Sequence, residues 1–183
     1  MALLSSRRTR RRQDSPRRSV SQPVIHLRGV ERADLDALFA LDQACFRPGI
    51  AYSRTDLRFY LSHPRSLSIL AEDATTNSIL GFIIADSYLE HAHRIGHIIT
   101  IDVAPPARRH GLGRRLMHAM MDRLDAAGAA TVRLEVAIDN LDAQAFYRSL
   151  GFSPTGRIRG FYLGTLDALV MEKSLDPRSG DHP

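Results

Sequence analysis

The chain has 183 residues, 44% of them hydrophobic, a single cysteine and a formal net charge of +5. That length suits one domain with a proper core, the lone Cys45 excludes an internal disulfide, and no apolar run approaches the roughly 20 residues of a membrane span. The charge is uneven: seven arginines against Asp14 give residues 1–22 a formal +6 and leave the remaining chain at −1.

The Arg/Ser-rich segment 1–22 has almost nothing to bury after Leu4 and reads as a disordered tail. It suits a solvated extension, a weak contact with RNA or ribosomes through phosphates, or a mitochondrial-type leader. The folded domain is expected over residues 23–175, with a flexible C-terminal tail over 176–183. Nothing in the sequence points to a membrane, and the cysteine usage suits a cytoplasmic location.

In chain order, "VIHLRGV" (24–30) reads as a strand, and Leu35, Leu38, Phe39 and the apolar positions from Leu41 to Cys45 recur at helical spacing. A Pro-Gly turn at 48–49 precedes Ser53, which with Asp56 three residues later signals a capped helix that Pro64 stops. "SLSILAED" and "ILGFIIADSYLE" form a hairpin, followed by a third strand in "RIGHIITIDV". Residues 113–127 read as a helix with Leu116, Met117, Met120, Met121 and Leu124 on one face and Gly128 as its stop. "ATVRLEVAI" is a strand, "NLDAQAFYRSLG" a helix capped by Asn140, and "LDALVMEKSL" a last strand. Antiparallel strands followed by β-to-α units predict an α/β fold with a mixed, mostly antiparallel sheet and helices on both faces.

Between strand and helix lies "RRHGLGRRLM" (108–117). A Gly-rich turn that opens a helix gathers backbone N–H groups at the positive end of the helix dipole, where an anion is favoured. Leu116 stands where a dinucleotide fingerprint requires its third glycine, and the Gly-Lys-Ser/Thr of a P-loop is missing. Arg108, Arg109, Arg114 and Arg115 crowd one turn without aromatic interleaving, which weakens a nucleic-acid reading. Cations at this end of a helix oppose its dipole, so their placement points to an anion that offsets them.

The segment resembles the Arg/Gln-x-x-Gly-x-Gly/Ala signature of the GNAT superfamily of N-acetyltransferases, through Arg108, Gly111 and Gly113. The resemblance continues in "ITIDV", in "LEVAIDNLDAQAFYRSLGF" and in "ALVMEK", and covers essentially residues 24–175. It is strongest to the branch of bacterial ribosomal-protein-alanine acetyltransferases and archaeal protein N-terminal acetyltransferases. The resemblance implies the acyl-CoA N-acyltransferase fold, with parallel strands splayed to admit acetyl-CoA. It puts the pyrophosphate on the N–H groups of Arg109, His110, Gly111, Leu112, Gly113 and Arg114. Ile101, Asp102 and Val103 would pair with the pantetheine arm, Asn140 would contact the cofactor, and Tyr147 would stand near its sulfur. No metal is implied.

Amine acetylation needs a neutral nucleophile, a base for the amine proton and an acid for the departing thiolate. An α-amine with a pKa of about 7.7 to 8.0 is neutral far more often at pH 7 than a lysine near 10.4. By the resemblance, Glu135 is the base, through water, and Tyr147, twelve residues on, is the acid. Asp102 and His97 are alternative bases. Cys45 is a core residue rather than an acyl carrier. Tyr52, Phe161 and Tyr162 lie in loops that would wall the acceptor groove. The expected activity is acetyl-CoA-dependent acetylation of a protein N-terminus, a ribosomal protein being the model acceptor. Lysine side chains, small amines, or a non-catalytic CoA- or RNA-binding module are the alternatives.

Overall fold

A computed structural model describes residues 23–175. Both tails, and the expectations placed on them, lie outside the described residues. Strands β1 (Ile25–Arg28), β2 (Leu67–Asp73), β3 (Ile79–Glu90), β4 (His93–Val103), β5 (Thr131–Ala137), β6 (Ser153–Tyr162) and β7 (Leu166–Ser174) form one sheet, in the order β1-β2-β3-β4-β5-β7-β6. Every neighbouring pair is antiparallel except β4 and β5, which run parallel.

The helices cover both faces, as alternation in the strands requires. On one face, α1 (Leu35–Cys45) and α2 (Arg54–Ser62) bury Leu38 and Leu57 against Leu70, Phe82 and Ile84. On the other, α3 (Leu112–Ala126) sinks Leu116, Met117, Met120 and Leu124 onto Ile69, Ile83 and Ile98, with α4 (Leu141–Ser149) alongside. Each such side chain contributes about 1.5 to 3 kcal/mol of burial. The expected cap forms at α2: Ser53 Oγ accepts the Asp56 N–H at 3.1 Å and Asp56 Oδ2 accepts the Ser53 N–H at 3.2 Å.

Two irregularities along β3 and β4 position polar side chains. His91 and Ala92 join the strands with φ of 46° and 68°, the left-handed pair that a tight two-residue hairpin needs. Counting back from that turn pairs Asp86 with His97. Further along, Ile99 has no partner in the β3 register, a bulge beyond which Thr100 and Asp102 lie on the α1 face, where Thr100 Oγ1 donates to Asp102 Oδ2.

β6 lies where the sequence predicts no strand. Phe161 and Tyr162 therefore sit at the end of an edge strand paired with β7 rather than in a turn. The strand's residues are almost all exposed, so it lacks the alternation that marks a half-buried strand, and Pro154 is tolerated because an edge strand needs hydrogen bonds on one side only.

Candidate active site

β4 and β5 pair only at Ile95–His97 with Thr131–Arg133. Beyond that point β4 continues to Val103 bonded to β3, and β5 to Ala137 bonded to β7. The two strands thus part at their carboxyl ends and leave a gap, which side chains from other elements border. The Tyr52 hydroxyl donates to the Ile99 carbonyl at 3.3 Å and the Tyr162 hydroxyl to the Glu135 carbonyl at 3.2 Å. Cys45 Sγ and Arg108 Nε both donate to the Val103 carbonyl, at 3.4 and 2.9 Å.

α3 starts where β4 ends. Arg109 and Gly111 both have left-handed backbones, φ 62° and 81°, which fold the preceding loop into a tight turn and make Gly111 the helix N-cap. No side chain caps this terminus, so the N–H groups of Leu112, Gly113 and Arg114 lack the partners that interior helical residues have. A Cβ on Gly111 would enter open space. Among the described residues Arg108, Arg109, Arg114 and Arg115 form no ion pair; Arg114 donates to Ser149 Oγ and Arg115 to the Ile25 carbonyl. Unspent N–H groups at a helix N-terminus, on a turn whose arginines have no carboxylate partner among the described residues, suit a phosphate-bearing ligand. Asn140 caps α4, its side-chain oxygen accepting the Ala143 N–H at 3.1 Å, at the corresponding end of β5.

Tyr147 projects from α4 into the core cluster, 9% exposed, its ring packed on Phe146 and Phe152 at centroid distances of 5.3 and 6.0 Å. Burial, with the nearby Tyr162 and Asp102, pushes its pKa well above the usual tyrosine value, so its proton is retained. Its hydroxyl has no hydrogen-bond partner among the described residues. Tyr162 is likewise pushed up to about 12 by burial and the charge of Glu135.

Glu135 lies on the sheet face opposite Leu134 and Val136, which are in the α3 core. It borders an open groove of about 390 Å³ lined also by Arg133, Thr155, Gly156, Ile158, Val170 and Glu172. One carboxylate oxygen, Oε2, lies 2.7 Å from His97 Nε2, and the other ring nitrogen of His97 lies 3.6 Å from Asp86 Oδ1. Burial alone would lower the His97 pKa, but the Asp86 and Glu135 carboxylates outweigh it and push it up to about 9. Sequence reasoning singles out His97 but misses Asp86; the register counted from the hairpin turn is the signal that pairs them.

Asp102, the other alternative base, is 1% exposed, and it points toward α1 with one oxygen, Oδ1, unpartnered among the described residues. Burial, aided by the charge of Asp42, pushes it up to about 7. Asp42, fully buried on α1, is itself raised to about 6 by burial although it accepts the Tyr52 N–H at 2.8 Å. His91 and His93 stay at the hairpin tip, exposed and apart from the gap. Cys45, raised by burial, is held as a thiol rather than an activated nucleophile.

The model of the acetyltransferase (GNAT) family matches residues 35–152. The N-alpha-acetyltransferase 20 of Dictyostelium discoideum is 35% identical over 117 residues, which span 63% of this chain and 67% of that protein. The [ribosomal protein bS18]-alanine N-acetyltransferase of Escherichia coli is 40% identical over 77 residues, 40% of this chain but only 52% of that protein. The crystal structure of the same Escherichia coli enzyme superposes with a TM-score of 0.71 at 26% identity, covering 86% of this chain and 99% of that one. Naa50 of Arabidopsis thaliana, in complex with the bisubstrate analogue CoA-Ac-MVNAL, superposes with a TM-score of 0.71 at 25% identity, over 82% of this chain and 99% of that one.

Proposed function

Because the chain belongs to the acetyltransferase (GNAT) family, we propose that this N-acetyltransferase uses acetyl-CoA to acetylate the N-terminal α-amine of a protein, with ribosomal proteins as the model acceptor, by direct transfer in a ternary complex. The observation that carries the reading is the gap between β4 and β5, with the uncapped end of α3 at the carboxyl end of β4 and Glu135 bordering an open groove. The relatives named for N-terminal and ribosomal-protein acetylation support the choice of acceptor. A reducing cytoplasm, where such N-termini emerge, suits a chain with one free thiol.

In this account the turn from Arg108 to Arg114 holds the pyrophosphate of acetyl-CoA on backbone N–H groups and guanidinium charge. The β4 backbone from Ile101 to Val103, including Asp102, takes the pantetheine arm, and Asn140 steadies the cofactor beside α4. The free α-amine, already neutral in about a tenth of molecules at pH 7, attacks the thioester carbonyl. Glu135 takes the proton that becomes acidic as the C–N bond forms, and the buried Tyr147 hydroxyl protonates the thiolate as the C–S bond breaks. Tyr52, Phe161 and Tyr162 flank the acceptor. Cys45, held as a thiol, carries no acetyl group.

The test is acetyl-CoA turnover on short peptides with different free N-terminal residues, each paired with an N-blocked, lysine-containing control. Turnover should require the free α-amine and fall by about 10²-fold or more in Tyr147→Phe and in Glu135→Gln. Turnover on the blocked lysine peptides alone, or on small amines as fast as on peptides, would overturn the acceptor assignment. Undiminished turnover in Tyr147→Phe would overturn the acid role.

A further inference from the structure

Glu135 is one member of a row of three side chains contributed by three adjacent strands. β3 supplies Asp86, β4 supplies His97 and β5 supplies Glu135. The imidazole is the middle member, with Nε2 2.7 Å from Glu135 Oε2 and Nδ1 3.6 Å from Asp86 Oδ1. Asp86 Oδ1 is buried and accepts no hydrogen bond among the described residues, so its charge is directed at the ring. Other charged and titratable groups surround the ring. Arg133, the β5 register partner of His97, spends its guanidinium on Glu90, Glu172 and the Tyr88 hydroxyl. Tyr88 meets the His97 ring edge-on at 6.4 Å. From the α2 side, Tyr60, His63 and Arg65 line a small pocket of about 200 Å³ with Asp86. Tyr162 reaches the Glu135 backbone carbonyl rather than its carboxylate.

A glutamate on a half-open strand face has three torsions to fix before it can meet a substrate proton. Here one oxygen is held by the ring, and the second has no partner among the described residues and is free to face the groove. We propose that His97, as an imidazolium braced by Asp86, is the positioning residue that aims Glu135 at the acceptor amine and sets the alkaline limit of the reaction. The inference rests on Glu135 acting as the base. His97 acts through Glu135 and touches neither donor nor acceptor. Its protonated form supplies the Nε2–H donor that fixes the carboxylate, and its positive charge faces Asp86 Oδ1 across 3.6 Å, an ion pair rather than a hydrogen bond. When the ring loses its proton, the charge that pairs with both carboxylates is gone and the Nε2–H···Glu135 bond is no longer charge-assisted. The elevated pKa of the ring, about 9, keeps it protonated across the range in which an α-amine of pKa about 8 becomes a nucleophile.

The measurement is kcat/KM for a free-N-terminus peptide from pH 6 to 10, in wild type, His97→Gln, His97→Leu, Asp86→Asn and Glu135→Gln. Wild-type kcat/KM should rise with the amine to about pH 8 and fall above about pH 9. Removing the Asp86 charge should bring that fall about one pH unit lower. Glutamine keeps a donor to Glu135 but cannot titrate, so His97→Gln should retain activity within about fivefold at pH 8 and show no alkaline fall. Leucine keeps neither, and His97→Leu should lose about 10²-fold. An alkaline fall that stays put in Asp86→Asn and persists in His97→Gln would overturn the inference, as would equal losses for glutamine and leucine. Glu135→Gln separates the two levels. Full activity there removes the base assignment and the clamp with it, whereas a loss of about 10²-fold beside an unmoved alkaline fall removes the clamp alone.

Discussion

Asp102→Asn should stabilise the protein, and increasingly so as the pH rises. The carboxylate is 1% exposed, accepts one hydrogen bond, from Thr100 Oγ1 at 2.9 Å, and leaves Oδ1 without a partner among the described residues. Its pKa is raised from the usual 3.8 to about 7 in the folded protein, by burial first and then by the charge of Asp42. Between those values the folded state holds a proton that the unfolded state has released, so wild-type stability falls as the pH climbs and levels off above about 7. At 1.36 kcal/mol per pH unit the full span is worth about 4 kcal/mol, of which about 2 to 3 kcal/mol falls between pH 5 and pH 8. Asparagine still accepts from Thr100 and carries no charge. Asp42, raised to about 6, titrates in the same window, so the variant is compared with wild type at each pH rather than with itself. Urea unfolding at pH 5 and pH 8 gives the two differences. The advantage of Asp102→Asn should be larger at pH 8 by about 2 kcal/mol. An equal difference at both pH values would refute the claim that Asp102 is an uncompensated buried acid.

Two other substitutions probe the gap and its surroundings. A Cβ on Gly81 would lie 2.6 Å from the Asp102 carbonyl oxygen, a backbone atom that cannot step aside cheaply. Gly81→Ala should therefore cost about 1 to 3 kcal/mol in chemical denaturation and displace the β4 backbone that would carry the pantetheine arm. Gly111→Ala meets no neighbour but must hold φ at 81°. A loss of about 1 to 2 kcal/mol is expected, together with a raised KM for acetyl-CoA and a smaller change in that for the peptide.

The helices and central strands are legible in the sequence because their burial is periodic. The α3 face of Leu116, Met117, Met120 and Leu124 and the cap at Ser53 are local signals, and the structure places both where the sequence indicates. β6 is not legible because it is an edge strand whose residues are nearly all exposed, with Pro154, Gly156 and Gly160 interrupting it. The site divides in the same way. The turn around Gly111 and the positions of Glu135 and Tyr147 follow from contiguous motifs. Asp86 meets His97 only through the register of the β3–β4 hairpin, and Asp42 lies far along the chain from Asp102, brought beside it by the packing of α1 on β4.

The most direct test of the acceptor assignment uses one peptide that carries both a free N-terminal amine and an internal lysine. After incubation with acetyl-CoA and the full chain, fragmentation mass spectrometry locates the added acetyl group. The account predicts it on the N-terminal residue, with the lysine unmodified at early times. Acetylation of the lysine first, with the N-terminus left free, would contradict it.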